Sequence, residues 1–215
     1  MLKAIFKENK WFFLPYLILL TLSLIHLYQY EKGYLEKTID MSATPLLDRF
    51  FVFYTHVGDG IFASAVVLLF LFLNRKQFFT LAIGMISTGV ISQLLKRSIG
   101  KEAWRPARYF EGDYLFRNID FLERHMNHSM PSGHTTAAFC LFLMLALFSA
   151  KKTYGYLFLL IAAAAGFSRI YLAQHFLEDV IVGSLLGISI GLTSYLLGQK
   201  WFQSDKMNQP LIHFK

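Results

Sequence analysis

The chain is laid out as long apolar blocks separated by polar segments. Six apolar runs stand out, near Trp11 to Gln29, Gly60 to Leu73, Phe78 to Leu95, Ser132 to Ser149, Tyr154 to Leu172 and Leu177 to Gly198. A helix needs roughly 20 residues to cross a bilayer. The second run is the shortest and is expected to borrow residues from the Phe50 to Asp59 side. Backbone groups in lipid must be hydrogen-bonded within the protein, and no run alternates as a barrel strand does, so the pattern predicts an all-α integral membrane bundle of six transmembrane helices. Lys3, Lys7 and Lys10 precede the first run as they would in a secretory leader. It is longer than a leader's apolar core, however, and no small-residue cleavage site follows before Glu31, so it reads as an uncleaved first helix.

The polar segments differ in kind. Glu31 to Asp59 is mixed, with an amphipathic piece, Leu46 to Tyr54, that either lies along the outer interface or, as expected here, is a connecting loop. Lys96 to Met130 is too long for a turn, and loops of that length inside a compact domain are usually functional. No internal repeat or second domain is visible, which makes residues 1–215 one membrane-embedded domain. With 55% hydrophobic and 16% charged residues and 22 Phe, the composition is too apolar for an ordinary soluble domain. The single cysteine, Cys140, lies inside an apolar run, so it reads as a buried small hydrophobe, and neither an internal disulfide nor a cysteine metal cage is available.

The formal net charge of +7 suits membrane anchoring and phosphate binding alike. Nucleic acid is excluded as a partner because the basic residues are divided among short segments and form no exposed stripe. Placing the N-terminus inside puts ten Lys and Arg in cytoplasmic segments and eleven opposite, but seven of those eleven fall between Lys96 and Arg124. The shortest loops, Asn74 to Gln77 and Lys151 to Thr153, are rich in positive charge, as cytoplasmic turns are. Trp11 and Trp201 then share one interface. Both termini are expected in the cytoplasm.

Ionisable residues at the ends of apolar helices are costly and usually functional. Three stretches qualify: Trp104-Arg105-Pro106; Pro131-Ser132-Gly133-His134; and Ser168-Arg169, followed after five residues by His175 and after three more by Asp179. The six-helix layout puts all three on the outer face. His175 and Asp179, four apart at a helix entry, stack on one side, where the carboxylate can fix the imidazole tautomer and leave the other nitrogen free to attack. Ser132 and Gly133 open a helix whose unpaired N–H groups and dipole favour an anion, and Gly133 admits it close to the backbone. His134, in the first turn, is placed to protonate a departing alkoxide. Arg105 and Arg169 carry planar forks that match phosphate oxygens. The bland alternatives are a helix-end polar pair, a plain serine cap and snorkelling arginines. Two Arg and two His converging on one face weigh against all three.

The order Arg-Pro, then Pro-Ser-Gly-His, then Ser-Arg-x5-His-x3-Asp resembles the signature of the type 2 phosphatidic acid phosphatase superfamily, which also includes vanadium haloperoxidases and bacterial lipid phosphatases. The motifs run from Lys96 to Asp179, in segments 96–106, 131–134 and 168–179. The resemblance implies a metal-independent, cofactor-free lipid phosphatase. In it His175 attacks phosphorus, Asp179 supports it, His134 protonates the leaving oxygen, and Lys96, Arg105, Ser132, Gly133 and Arg169 hold the phosphate. The family's first motif usually has a Lys with six residues between it and Arg-Pro, where this chain has Ser98. Lys96, Arg97 and Lys101 are near. Lys96 is preferred because it emerges from the third helix, with Gly100 available to let the chain bulge.

Glu123, His125 and His128 form a polar cluster without a specific metal spacing and read as loop chemistry. His26, His56 and His213 read as structural or solvated, and Asp59 as a helix cap. The expected substrate is a bacterial envelope lipid at the periplasmic face of the inner membrane: undecaprenyl diphosphate first, a lipid A phosphate second, with phosphatidylglycerophosphate and phosphatidic acid also open. Two alternatives remain: a phosphotransferase using the same phosphohistidine, and a non-enzymatic anion transporter or scaffold.

Overall fold

The computed structural model describes residues 2–98, 103–119 and 122–212; Gly100, Lys101 and His213 lie outside them. Every regular element among the described residues is helical. In chain order these are α1 (Leu2–Glu8), α2 (Lys10–Gln29), α3 (Tyr34–Ser42), α4 (Pro45–Tyr54), a short 3-10 turn (Thr55–Gly58), α5 (Gly60–Leu69), α6 (Arg75–Ser98), α7 (Pro106–Tyr109), α8 (Gly133–Phe148), α9 (Tyr154–Tyr171), α10 (Leu177–Trp201) and a second 3-10 turn (Asp205–Asn208).

Four of these, α2, α6, α9 and α10, are long and apolar enough to cross a membrane. The stretches Pro45–Gly58 and Gly60–Leu69 make a fifth if taken together as one span bent by 53°. The bend has a local cause. Asp59 takes an extended conformation (φ −88°, ψ 166°) and its carboxylate accepts the Phe62 N–H at 2.9 Å, which ends one helix and caps the next. The apolar run that begins at Ser132 becomes α8, whose 16 residues extend about 24 Å and fall short of a full crossing by length.

The segment expected to be a connecting loop is instead helical. Pro45 sits in the first turn of α4, Thr44 caps it by accepting from Leu47 N at 3.4 Å, and Phe51 packs its ring 4.3 Å from that of Tyr171 on α9. An amphipathic decapeptide with a cap and an aromatic partner buries more as a helix than as a loop.

The core is built around α8. Residues Ala138 to Met144 are all at most 4% exposed, and a helix apolar on every side belongs inside the bundle. Cys140 lies fully buried among them, as its sequence context suggests. The principal neighbour of α8 is α10, and small residues bring the two together. A Cβ on Gly187 would stand 2.4 Å from the Thr136 carbonyl oxygen, and one on Gly183 would stand 2.8 Å from that of Ser132. Lipid supplies no hydrophobic drive between helices, so such close backbone approach is what holds them. Gly187→Val should therefore destabilise the protein by about 1–3 kcal/mol or more. Thermal unfolding in detergent checks this, and an unchanged midpoint would contradict the packing described.

Candidate active site

The end of α6, the start of α8, the end of α9 and the start of α10 meet at one end of the bundle. The last connection is short. Gln174 N and His175 N both donate to the Arg169 carbonyl, at 2.9 and 3.1 Å, and Ala173 takes a left-handed conformation (φ 49°) that costs energy for a residue with a Cβ. This tight turn directs His175 into the protein, where it is 1% exposed. Its Nδ1 lies 3.3 Å from Asp179 Oδ2. The same oxygen accepts Phe176 N at 3.0 Å and the Ser129 hydroxyl at 2.5 Å. Leu177 N, the next free donor of α10, is taken by buried Glu36 at 2.9 Å.

An ionised carboxylate can only accept, so Nδ1 carries the imidazole proton and Nε2 keeps its lone pair. Burial, then the positive charges of Arg105, Arg169 and Lys96, hold the His175 imidazole well below its ordinary range. It is thus neutral near pH 7, the form a nucleophile requires.

At the start of α8, Ser132 is fully buried and acts as the helix cap: its hydroxyl oxygen accepts from Thr135 N at 3.4 Å and from Thr135 Oγ1 at 2.8 Å. Its own O–H has no acceptor among the described residues. Ser132 N donates to the Asp179 carbonyl at 3.1 Å, which ties the second motif to the third. A Cβ on Gly133 would meet nothing within 4 Å, so the space over that backbone is open. His134 lines a cavity of about 340 Å³ there, with Gly133, Lys96, Gln93 and Asp59.

The two arginines come from opposite sides and each is 7% exposed. Arg105 Nε donates to the Asn127 carbonyl at 3.0 Å, while its Nη1 donates to the carbonyl and amide oxygens of Gln174 at 3.0 and 3.2 Å. Arg169 Nη1 donates to Thr55 Oγ1 at 2.6 Å, and its buried Nε has no partner among the described residues. Neither guanidinium has a carboxylate partner among the described residues. Two buried cations satisfied by neutral oxygens, with one donor left over, form a site short of an anion.

Lys96 lies on the face of α6 that borders the His134 cavity. Gly89, Ser92, Gln93 and Lys96 follow helical spacing and all line the His134 cavity. Lys96 and Gln93 also border a polar cavity of about 420 Å³ with Arg97, Arg105, His125 and His128. Ser98, at the position where the sequence resemblance would place a Lys, turns its hydroxyl back onto the Leu94 carbonyl at 2.8 Å.

Other basic residues of the long segment have structural duties. Arg117 bridges Asp40 and Asp48, the latter at 2.8 Å, and Tyr171 Oη reaches Asp48 at 2.8 Å. Arg124 donates to the carbonyls of Phe116 and Arg117, and Arg108 pairs with Asn127 and covers Trp104. Asp59 caps α5 as expected and also holds His56 at 2.9 Å. His26 stacks on Tyr30. Glu123, His125 and His128 do not converge into a group able to hold a metal, among the described residues.

Sequence reasoning missed Ser129, Thr55, Gln174 and Asn127. Only Ser129 left a trace, a polar residue two positions before Pro131 in a segment that becomes buried.

These features define a helical protein with apolar membrane-length spans and a buried, cationic, histidine-bearing site at the helix ends. Residues 77–203 match the PAP2 superfamily, and the chain belongs to it. It is 42% identical over 105 residues to the bacitracin transport permease protein BcrC of Bacillus licheniformis, covering 48% of this chain and 51% of the relative. To the lipid A 4'-phosphatase of Porphyromonas gingivalis it is 26% identical over 159 residues, covering 68% and 64%. The chain thus matches from about half to just under two thirds of the length of these curated relatives. Among solved structures it resembles LpxE of Aquifex aeolicus at a TM-score of 0.66 and 25% identity, covering 79% of this chain and 98% of that one. A phosphatidylglycerolphosphate phosphatase from Bacillus subtilis shares the fold, with a TM-score of 0.66, 23% identity, and 91% and 98% covered.

If Lys96 completes the cationic site, Lys96→Glu should weaken inorganic phosphate binding at least about tenfold while Lys101→Glu leaves it nearly unchanged. Calorimetric titration of phosphate into each detergent-purified variant measures this. Loss confined to Lys101→Glu would overturn the assignment.

Proposed function

We propose that this protein is an integral membrane lipid phosphatase working through a phosphohistidine on His175. The reading is carried by the pair of buried arginines, without carboxylate partners among the described residues, gathered around an imidazole whose tautomer a carboxylate fixes. A phosphate placed between Arg105, Arg169, Lys96 and the backbone at Ser132 and Gly133 supplies the missing anion, and Arg169 Nε gains an acceptor. His175 Nε2 forms a bond to phosphorus as the bond to the leaving oxygen breaks, and His134 gives that oxygen a proton. Water then attacks phosphorus, the N–P bond breaks, His134 takes the water's proton, and inorganic phosphate departs. Asp179 stabilises the charge that develops on His175.

The cavity at His134 continues between α5 and α6 past Gly60, Ala63, Ser64 and Ile86, a path suited to the tail of a lipid. In this reading the bent α4–α5 pair and the short central α8 complete six crossings, both termini are cytoplasmic, and the site opens outward at a bacterial inner membrane. Residues 1–215 act as one domain. Relatives named lipid A 4'-phosphatase and dolichyldiphosphatase 1, the latter from Dictyostelium discoideum, support a phosphorylated amphiphile as substrate. Undecaprenyl diphosphate is the first candidate and a lipid A phosphate the second.

A transport reading has one observation in its favour, the permease name of the Bacillus licheniformis relative. It predicts that His175→Ala leaves the cellular function intact.

Phosphate release from a panel of purified lipids tests the proposal. At least one lipid should be hydrolysed, and His175→Ala should cost about a thousandfold or more in kcat; activity surviving that change would refute the nucleophile. The pH profile is a second check. Protonation disables His175, and because its pKa is lowered, the acidic limb it causes should lie below the ordinary imidazole value of about 6.5. A limb at or above that value would contradict the buried cationic setting.

A further inference from the structure

Ser129 belongs to none of the three motifs, yet its hydroxyl lies at the centre of the hydrogen bonds behind His175. We infer that Ser129 is a positioning residue, which fixes the tautomer and aim of His175 by holding Asp179; the inference rests on His175 being the nucleophile.

Ser129 is 1% exposed and lies behind the imidazole, on its Nδ1 side, so it acts through other groups and does not touch substrate. Its single proton goes to Asp179 Oδ2 at 2.5 Å, since an ionised carboxylate only accepts. That leaves the lone pairs of Ser129 Oγ for His175 Nδ1, 3.5 Å away, beside Asp179 Oδ2 at 3.3 Å. The Nδ1 proton therefore faces two acceptors, neither at close range, and the pair together holds it in place. Among the described residues, the three polar groups that approach the Asp179 carboxylate, from Ser129, Phe176 and His175, meet the same oxygen. Without the hydroxyl, the carboxylate keeps only the Phe176 amide as a firm donor and is free to turn away from the ring. The imidazole then reaches the tautomer with its proton on Nε2, which cannot attack.

A second connection runs through the backbone. Ser129 N donates to the Ala103 carbonyl at 3.0 Å and Arg105 N donates to the Met126 carbonyl at 3.0 Å. The segment that carries Ser129 is thus fastened to the one that carries Arg105, and the carboxylate behind the nucleophile shares a frame with a cation in front of it.

The test is a double-mutant cycle on the full chain in detergent, with dioctanoyl phosphatidic acid and farnesyl diphosphate as probes and the faster one used throughout. Ser129→Ala should lower kcat about tenfold or more with KM nearly unchanged. In an Asp179→Asn background the same change should cost little further, because the partner it acts through is already altered. Wild-type kcat in Ser129→Ala, or losses that multiply in the double variant, would overturn the inference. Should Ser129→Ala fail to fold, Ser129→Cys keeps the volume with a weak donor and should lose most of kcat, while Ser129→Thr retains the hydroxyl and should recover it. Equal turnover of Ser129→Cys and the native chain would also overturn it. His175→Ala runs alongside: turnover there removes the nucleophile reading itself, an outcome separate from any result at Ser129.

Discussion

The site exists because the starts of α8 and α10 touch. Gly183 and Gly187 let the two backbones come within distances that any side chain would prevent, and the contact ends in a hydrogen bond from Ser132 N to the Asp179 carbonyl at 3.1 Å. His134 follows from the first of these helix starts and Asp179 from the second. Their relative placement is therefore set by packing in the bundle and is independent of the long connecting segment. In lipid, where apolar side chains gain nothing by leaving one apolar environment for another, small residues and interhelical hydrogen bonds are the available means of fixing such a distance.

Electrostatics then determines what the site accepts. Arg105 and Arg169 are buried among carbonyl, amide and hydroxyl oxygens, and the carboxylate beside them is occupied with Ser129, Phe176 and His175. Cations kept from carboxylates in a low-dielectric setting are costly, and an anionic ligand relieves that cost. The same charges keep His175 neutral. In the proposed mechanism one arrangement thus serves both binding and nucleophilicity, and this is why removing a neutral partner such as Ser129 is expected to matter as much as removing a charge.

Much of the bundle was legible in the chain. The runs from Tyr154 and from Leu177 begin where α9 and α10 begin, since apolar continuity is a local property. What escaped was non-local. The break at Asp59 and the helicity of Pro45–Tyr54 depend on a cap and on the Phe51–Tyr171 contact, which couple distant segments. At the site, His175, Asp179, His134 and Arg169 could be read from spacing because helix ends impose it. Thr55 could not, since it reaches Arg169 from a turn more than a hundred positions earlier, and Gln174 and Asn127 hold Arg105 partly or wholly through carbonyls that every residue possesses. Lys96, preferred from the sequence because it emerges from the third helix, lines the cavity at His134, whereas Ser98 turns back onto its own helix.

The central claim is that phosphorus becomes bonded to His175 during turnover. The most direct measurement is a rapid alkaline quench of the native chain during turnover of a hydrolysable lipid phosphate, followed by peptide mass analysis. The account predicts a phosphoryl group on the peptide holding His175, lost on acid treatment and absent from the His175→Ala chain. A phosphoryl group on any other residue, or turnover with none on His175, would contradict it.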